Sequence, residues 1–363
     1  MTQSTPGVRR AWGWVAHLRA GGTTPWREWS GEGEPRGRIL PGAQQLELLR
    51  RLNDAGAVSA ELATRVLEAS APGRGRPDFE LAGAVPRLAF GPAPVDPSDL
   101  PEDELLRVAA GLLAEDVNAA GLPEPHRPPV MRWWRRRYRL TGDPLLVGAM
   151  RAELVRRGRP PGGGRGATVI VVGTDLGTML AHAWTARSLA VGAPQWREWL
   201  DPQVRRGTLP PRIDLARTAQ AWSERVGADR VRIVLDPAEV PRLVGTRRAL
   251  PTGSGLSADA TDLARRVGQT LSLLAVPPRR RALLRETLLP RLAEVPGPGL
   301  VLPPEHLERL RGRATHLRDA LLRAGYAVHG DPDSLLPVDR AGVPEPSDAG
   351  VLALALRLLL EKS

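Results

Sequence analysis

Apolar positions along the chain recur with two different periods, and the periods separate two regions. Over 44–53, Leu46, Leu49 and Leu52 repeat at three-residue intervals, the spacing of one helix face, which predicts a helix. Ser59 is placed to cap a second helix running to Leu67, so 44–67 reads as helix, short turn, helix. A clear apolar stripe predicts a further helix over 105–114. Two short strands are expected among these helices, one at 14–18 and one within 79–90. The proline-rich stretch 123–129 interrupts the pattern and places the main boundary. The reading is a mostly helical region over 1–128 and a second domain over 129–363.

Beyond the boundary the period changes. Residues 138–141 predict a short strand and 145–157 a helix, followed by the Gly/Pro connector GRPPGGGRG at 158–166. Residues 168–172 read TVIVV, a continuous β-branched run of the kind buried on both faces of a parallel sheet. A turn at Gly173-Thr174-Asp175 leads into a helix over 176–189; a helix over 215–226 and a strand over 230–235 follow. This alternation predicts an α/β layer fold, a parallel sheet with flanking helices and right-handed crossovers. Helices are then expected over 258–275, 279–292, 304–324 and 347–360, with an edge strand at 326–329. A short echo, Pro25-Trp26-Arg27-Glu28-Trp29 against Gln195-Trp196-Arg197-Glu198-Trp199, reads as two similar helix starts with inward Trp pairs.

Composition narrows the chemistry. The net charge is +11, and of 51 basic residues only Lys362 is a lysine. GC-rich codon usage accounts for such a bias; its chemical consequence is a surface of guanidinium forks suited to phosphate and carboxylate. Anionic small molecules, nucleotides and nucleic acid are the partner classes this charge favours. The absence of cysteine excludes disulfides, thiolate metal sites and cysteine nucleophiles. No stretch reaches the ~20 apolar residues of a membrane span. The first residues lack the apolar core of a secretory signal. A soluble cytoplasmic protein without a membrane partner is therefore expected. The six histidines are scattered and no spacing reads as a metal site.

Candidate chemistry concentrates at 168–189. Ligands of parallel sheets bind outside the carboxyl ends of the strands, and the N–H groups of a following helix suit an anion. Asp175 stands at that helix start, where its carboxylate caps the free N–H groups and competes with a phosphate for them. The run Arg132-Trp133-Trp134-Arg135-Arg136-Arg137-Tyr138-Arg139 mixes cations and aromatics. That pattern serves a single-stranded nucleic-acid platform, or two tryptophans pinning a linker beneath solvated arginines. With the helix–turn–helix at 44–67 it defines a nucleic-acid-binding reading, although that second helix offers only Arg65 to a base edge.

From Thr168 onward the chain resembles actinobacterial sulfotransferases of the P-loop-like fold. Five pieces occur in that family's order: VIVVGTDLGTML, APQWREWL, DLARTAQAWSERVGADRVRIVLDP, GLSADATDLARRV and LLRAGYAVHGDPDSLLP. The resemblance covers roughly the last 200 residues. It implies transfer of sulfonate from 3'-phosphoadenosine 5'-phosphosulfate to a hydroxyl acceptor. The 5'-phosphosulfate loop would be Gly22, Thr23 and Thr24 with Arg19, or Gly142 with Arg139; Gly173 and Thr174 would face the 3'-phosphate. His182 is the histidine nearest the implied crevice and the candidate catalytic base.

The departures from the family pattern carry equal weight. Neither candidate loop has the family's lysine, and the second places Asp143 where phosphate would sit. Thr174 occupies the position of the arginine that grips the 3'-phosphate. Two lost charge-assisted contacts of ~1.5–3 kcal/mol each weaken binding by roughly two to four powers of ten. The sequence therefore favours a diverged sulfotransferase-like protein with weak or no nucleotide binding, acting on an anion or a partner. An active sulfotransferase and a nucleic-acid binder are the alternatives.

Overall fold

The computed structural model describes residues 5–35, 39–69, 78–84, 93–124, 137–164, 166–252 and 255–361. In chain order the elements begin with helices α1 (Pro6–Arg19), α2 (Ala43–Ala55), α3 (Ala60–Glu68) and α4 (Glu102–Ala120). Strand β1 (Tyr138–Gly142), helix α5 (Pro144–Arg156), strand β2 (Thr168–Val172) and helices α6 (Leu176–Ser188), α7 (Trp196–Arg206) and α8 (Leu215–Val226) follow. Then come β3 (Val231–Val234), α9 (Val240–Leu243), α10 (Ala258–Leu274), α11 (Pro277–Ala282), α12 (Leu289–Ala293), α13 (Leu307–Arg323), β4 (Ala327–His329) and α14 (Asp348–Leu360). Two compact units result: Met1–Leu122 with Asp262–Pro290 and Ser347–Ser363, and Pro123–Thr261 with Arg291–Pro346.

The second unit is α/β. Its four strands are all parallel and lie in the order β1-β2-β3-β4. Register sorts their side chains onto two faces. Val169, Val171, Val231 and Ile233 pack beneath α6, α7, α8 and α13. Tyr138, Leu140, Ile170, Val172 and Val234 pack against α5 (Leu146, Met150, Leu154) and α9 (Val240). The central strand β2 is thus covered on both sides, which is why its sequence is apolar at consecutive positions. The β1–β2 crossover uses one face and the β2–β3 crossover the other, while the strands advance in one direction. The two crossovers therefore have opposite hands, and the expected rule of uniformly right-handed connections is broken at one of them.

Trp184, Trp196 and Trp199 form an aromatic layer in this core, with ring centroids 5.5 and 5.8 Å apart. The two WREW echoes diverge here. Trp196 opens the 11-residue helix α7, where Leu200 and Val204 continue the buried stripe. Trp26 opens only a three-residue 3-10 turn, because Ser30 and Gly31 follow and supply no apolar position.

The first unit is helical. Residues 14–18, expected as a strand, belong to α1. Its buried Ala11, Trp14, Val15 and Leu18 follow the i, i+3, i+4, i+7 pattern of a helix face, and Thr5 caps its start. Within 79–90 the described residues contribute a single parallel bridge, Leu81 to Val95; 85–90 lie outside the described residues. The expected helix over 279–292 is interrupted by a π-helical segment, Leu283–Leu288, between α11 and α12. Helix α14 buries Val351, Leu352, Leu354, Ala355, Leu356, Leu358 and Leu359. A helix apolar on nearly every side needs neighbours all round, and α14 packs on α4 and α2. That requirement draws the C-terminal helix into the helical unit, so the linear division at 128/129 does not describe the units. Among the described residues no helix is long and apolar enough to cross a membrane.

Candidate functional site at the carboxyl edge of the sheet

Each of the four strands ends in a turn whose aspartate caps the next helix. Asp143 follows β1 and its Oδ1 accepts from the Leu145 and Leu146 N–H groups, both at 3.0 Å. After β2, Asp175 accepts from Thr178 N–H at 2.9 Å. After β3, Asp236 accepts from Ala238 N–H, and after β4, Asp331 accepts from Asp333 N–H, each at 2.9 Å. A capping carboxylate satisfies the orphan donors of a helix start and complements its dipole. Three of the four are followed by proline, in Asp143-Pro144, Asp236-Pro237 and Asp331-Pro332. Proline at the first helical position has no N–H to satisfy, so Asp-Pro after a strand is a compact helix-start signal.

These carboxylates occupy the donors a phosphate would use and place negative charge where it would sit. Asp175 is 4% exposed and pairs with Arg340 at 2.9 Å; the same guanidinium donates to Thr178 Oγ1 at 2.7 Å. Thr174 Oγ1 makes no hydrogen bond to the described residues.

The other feature of this edge is a buried pair. Asp143 is fully buried, and its Oδ2 lies 2.7 Å from His182 Nδ1, on a side chain 11% exposed. A carboxylate only accepts, so Nδ1 carries the proton and the neutral ring presents Nε2 as its free acceptor. A Cβ placed on Gly255 would lie 3.8 Å from Nε2, so the free nitrogen faces the 255 backbone. This arrangement, base nitrogen free and the other nitrogen held by a carboxylate, is the geometry of an oriented general base.

The remaining candidate residues are spread elsewhere. Gly142, at φ +107°, is a glycine because a Cβ would run into the Val172 carbonyl. Gly173 donates its N–H to the Val234 carbonyl at 2.8 Å and sits against Leu215. Both glycines thus answer to close packing at the strand ends. Arg139 is not in the 142–144 turn. It lies three residues back along β1, about 10 Å by strand rise, with its guanidinium 5.2 Å from the Trp222 ring centre and against Gly163. Arg19 is an exposed last-turn residue of α1 in the helical unit.

Gly22, Thr23 and Thr24 also belong to the helical unit. Their loop follows a helix, whereas a phosphate-cradling loop links a strand to a helix. Its polar groups are used internally. Gly22 O accepts from Asn53, Thr23 O from Arg50, Thr24 O from Trp14 Nε1, and Thr24 Oγ1 pairs with His17 Nε2 at 3.0 Å. Of the basic–aromatic run, 131–136 lies outside the described residues. Helices α2 and α3 do pair, but Arg65 points into its own unit and binds Asp116 at 2.7 Å, which removes it from base reading. Among the described residues no group of histidines and carboxylates is arranged to hold a metal.

Sequence reasoning missed the Asp143–His182 pairing, Arg340, and the caps at Asp236 and Asp331. The repeated Asp-Pro after each apolar run was the available signal for the caps. No local signal links Asp143 to His182, 39 residues away. No protein-family model, no curated protein and no solved structure matches this chain.

Proposed function

We propose that this chain is a diverged sulfotransferase-like protein whose sheet edge binds nucleotide weakly or not at all, and that it acts as a binding or partner protein. The observation that carries the reading is the ring of aspartates at the carboxyl edge. All four strand-end turns spend their helix N-termini on a carboxylate. Arg340, which pairs with Asp175, is already committed there. An incoming phosphate would meet occupied donors and like charge.

The test is local. 3'-Phosphoadenosine 5'-phosphate is titrated into the full chain while amide exchange is followed in peptides covering 143–150 and 173–182. The expected result is unchanged exchange. Protection of those peptides with an apparent Kd tighter than about 10 µM, near −7 kcal/mol, overturns the reading.

A second reading draws on the Asp143–His182 pair. In an active sulfotransferase His182 Nε2 would take the acceptor hydroxyl proton, with Asp143 holding the ring. The sulfonate donor would be 3'-phosphoadenosine 5'-phosphosulfate. Sulfonate transfer to a phenol that is abolished in H182Q would support it; absence of transfer would remove it.

A further inference from the structure

The far end of α5, some 20 Å from Asp143 by helix rise over 13 residues, carries a different charge pattern. There a cavity of about 650 Å³ is lined by Arg156, Arg157, Arg159, Arg247, Arg248 and Thr246. Five guanidiniums converge on it. One carboxylate answers them, Glu153, which pairs with Arg156 and Arg157.

The arginines are not needed to finish α5. Its last carbonyls already accept backbone N–H groups: Glu153 O from Arg157, Leu154 O from Arg159, and Val155 O from Gly158. The side chains instead reach across to the loop after α9. Arg157 donates to the Arg248 and Ala249 carbonyls, at 3.2 and 2.9 Å, and Arg159 to the Gly245 carbonyl. Tyr138 Oη in turn donates to the Arg159 carbonyl at 2.5 Å and ties the segment to the sheet.

The loop's own shape is set by a Schellman turn. Thr246 N–H donates to Pro241 O and Gly245 N–H to Arg242 O, with Gly245 at φ +71°. This turn aims the next two residues, the exposed Arg247 and Arg248, at the cavity. Backbone carbonyls therefore hold two arginines in place, and their charges stay uncompensated. Assembling such a cluster is unfavourable without a counter-charge, and guanidinium forks match phosphate oxygens.

We propose that this pocket binds a compact, multiply charged phosphate ligand, an oligophosphate group. The cavity lies within the range of small-molecule sites. Its charges meet in one concavity instead of forming a stripe, which favours a small ligand over a polymer backbone. The site is separate from the carboxyl edge, so it stands or falls independently of the nucleotide reading.

The probe is inorganic tripolyphosphate, titrated into the full chain by calorimetry. A Kd near or below about 10 µM is expected. R247A/R248A alters two exposed loop residues and should weaken binding by at least about tenfold, as expected for two lost charge-assisted contacts. R279A/R281A removes the same charge from exposed positions of the helical unit and should leave binding unchanged. The proposal is overturned if tripolyphosphate binds more weakly than about 1 mM, if R247A/R248A titrates like the parent chain, or if R279A/R281A loses as much. A 12-nucleotide single strand that binds more tightly than tripolyphosphate, and loses that binding in R247A/R248A, would also overturn it in favour of nucleic acid.

Discussion

Replacing Asp143 by alanine isolates what one buried carboxylate does at the sheet edge. Oδ1 caps α5 through two N–H groups at 3.0 Å, and Oδ2 accepts from His182 at 2.7 Å. Loss of the cap costs about 1 kcal/mol. The buried His182 N–H loses its partner, worth another ~1–3 kcal/mol. The total, about 2–4 kcal/mol, corresponds to a roughly 30- to 1000-fold larger open population of the α5 start. Amide hydrogen exchange of the peptide covering 143–156 reads that population directly, without assuming that two units unfold together. D143N provides the contrast. Its carboxamide oxygen still caps α5, and its NH2 donates to His182 Nδ1 once the ring switches tautomer. D143N should therefore accelerate exchange by less than about tenfold, a loss under ~1.4 kcal/mol. The reasoning is refuted if D143A leaves exchange within a few-fold of the parent chain, or if D143N is as damaging as D143A.

The helical unit offers two further predictions, both on the cluster where Arg266 bridges Asp262, Asp103 and Asp348. Arg266 is 10% exposed, so R266A strands the buried Asp262 carboxylate on Arg265 alone; a loss of about 3 kcal/mol is expected in calorimetric melts. R266M should lose nearly as much, because the damage is the stranded charge; parent-like stability of R266M would sink that account. Asp348 titrates above the ordinary carboxylate range because burial disfavours its ionised form, and Asp103 and Asp262 reinforce this against the opposing pull of Arg266. A raised folded value means its contribution is complete below the unfolded value, near ~3.9, and is lost as pH rises through the folded value. The Tm of D348N relative to the parent should therefore improve as pH rises from about 3.5 to about 6; a flat difference across that range would contradict the assignment.

Much of the architecture was written locally. The β2 strand is legible because burial on both faces demands apolar residues at every position of 168–172. Helices α2, α3, α6 and α8 are legible because each carries an apolar stripe at helical spacing or a capping residue at its start. Helix α1 carried the same stripe, but Trp14 and Val15 at its centre invite a strand reading when only five residues are weighed. The strand-end caps were legible too, as Asp-Pro pairs.

What lay beyond local pattern depended on partners distant in the chain. The hand of a crossover depends on which face its helix chooses, and both faces of β2 are equally apolar. The placement of α14 with the helices of 1–122 follows from an apolar surface on all sides, which says that neighbours are required without saying which. Asp143 meets His182, and Arg157 and Arg159 meet the 245–249 loop, across 39 to 92 residues. Hydrogen bonds at such separations leave no periodicity, because they exist only once the sheet has brought its edges together. Composition announced an arginine-rich chain suited to anions. Tertiary structure set aspartates at the sheet's carboxyl edge and gathered five arginines at the far end of α5.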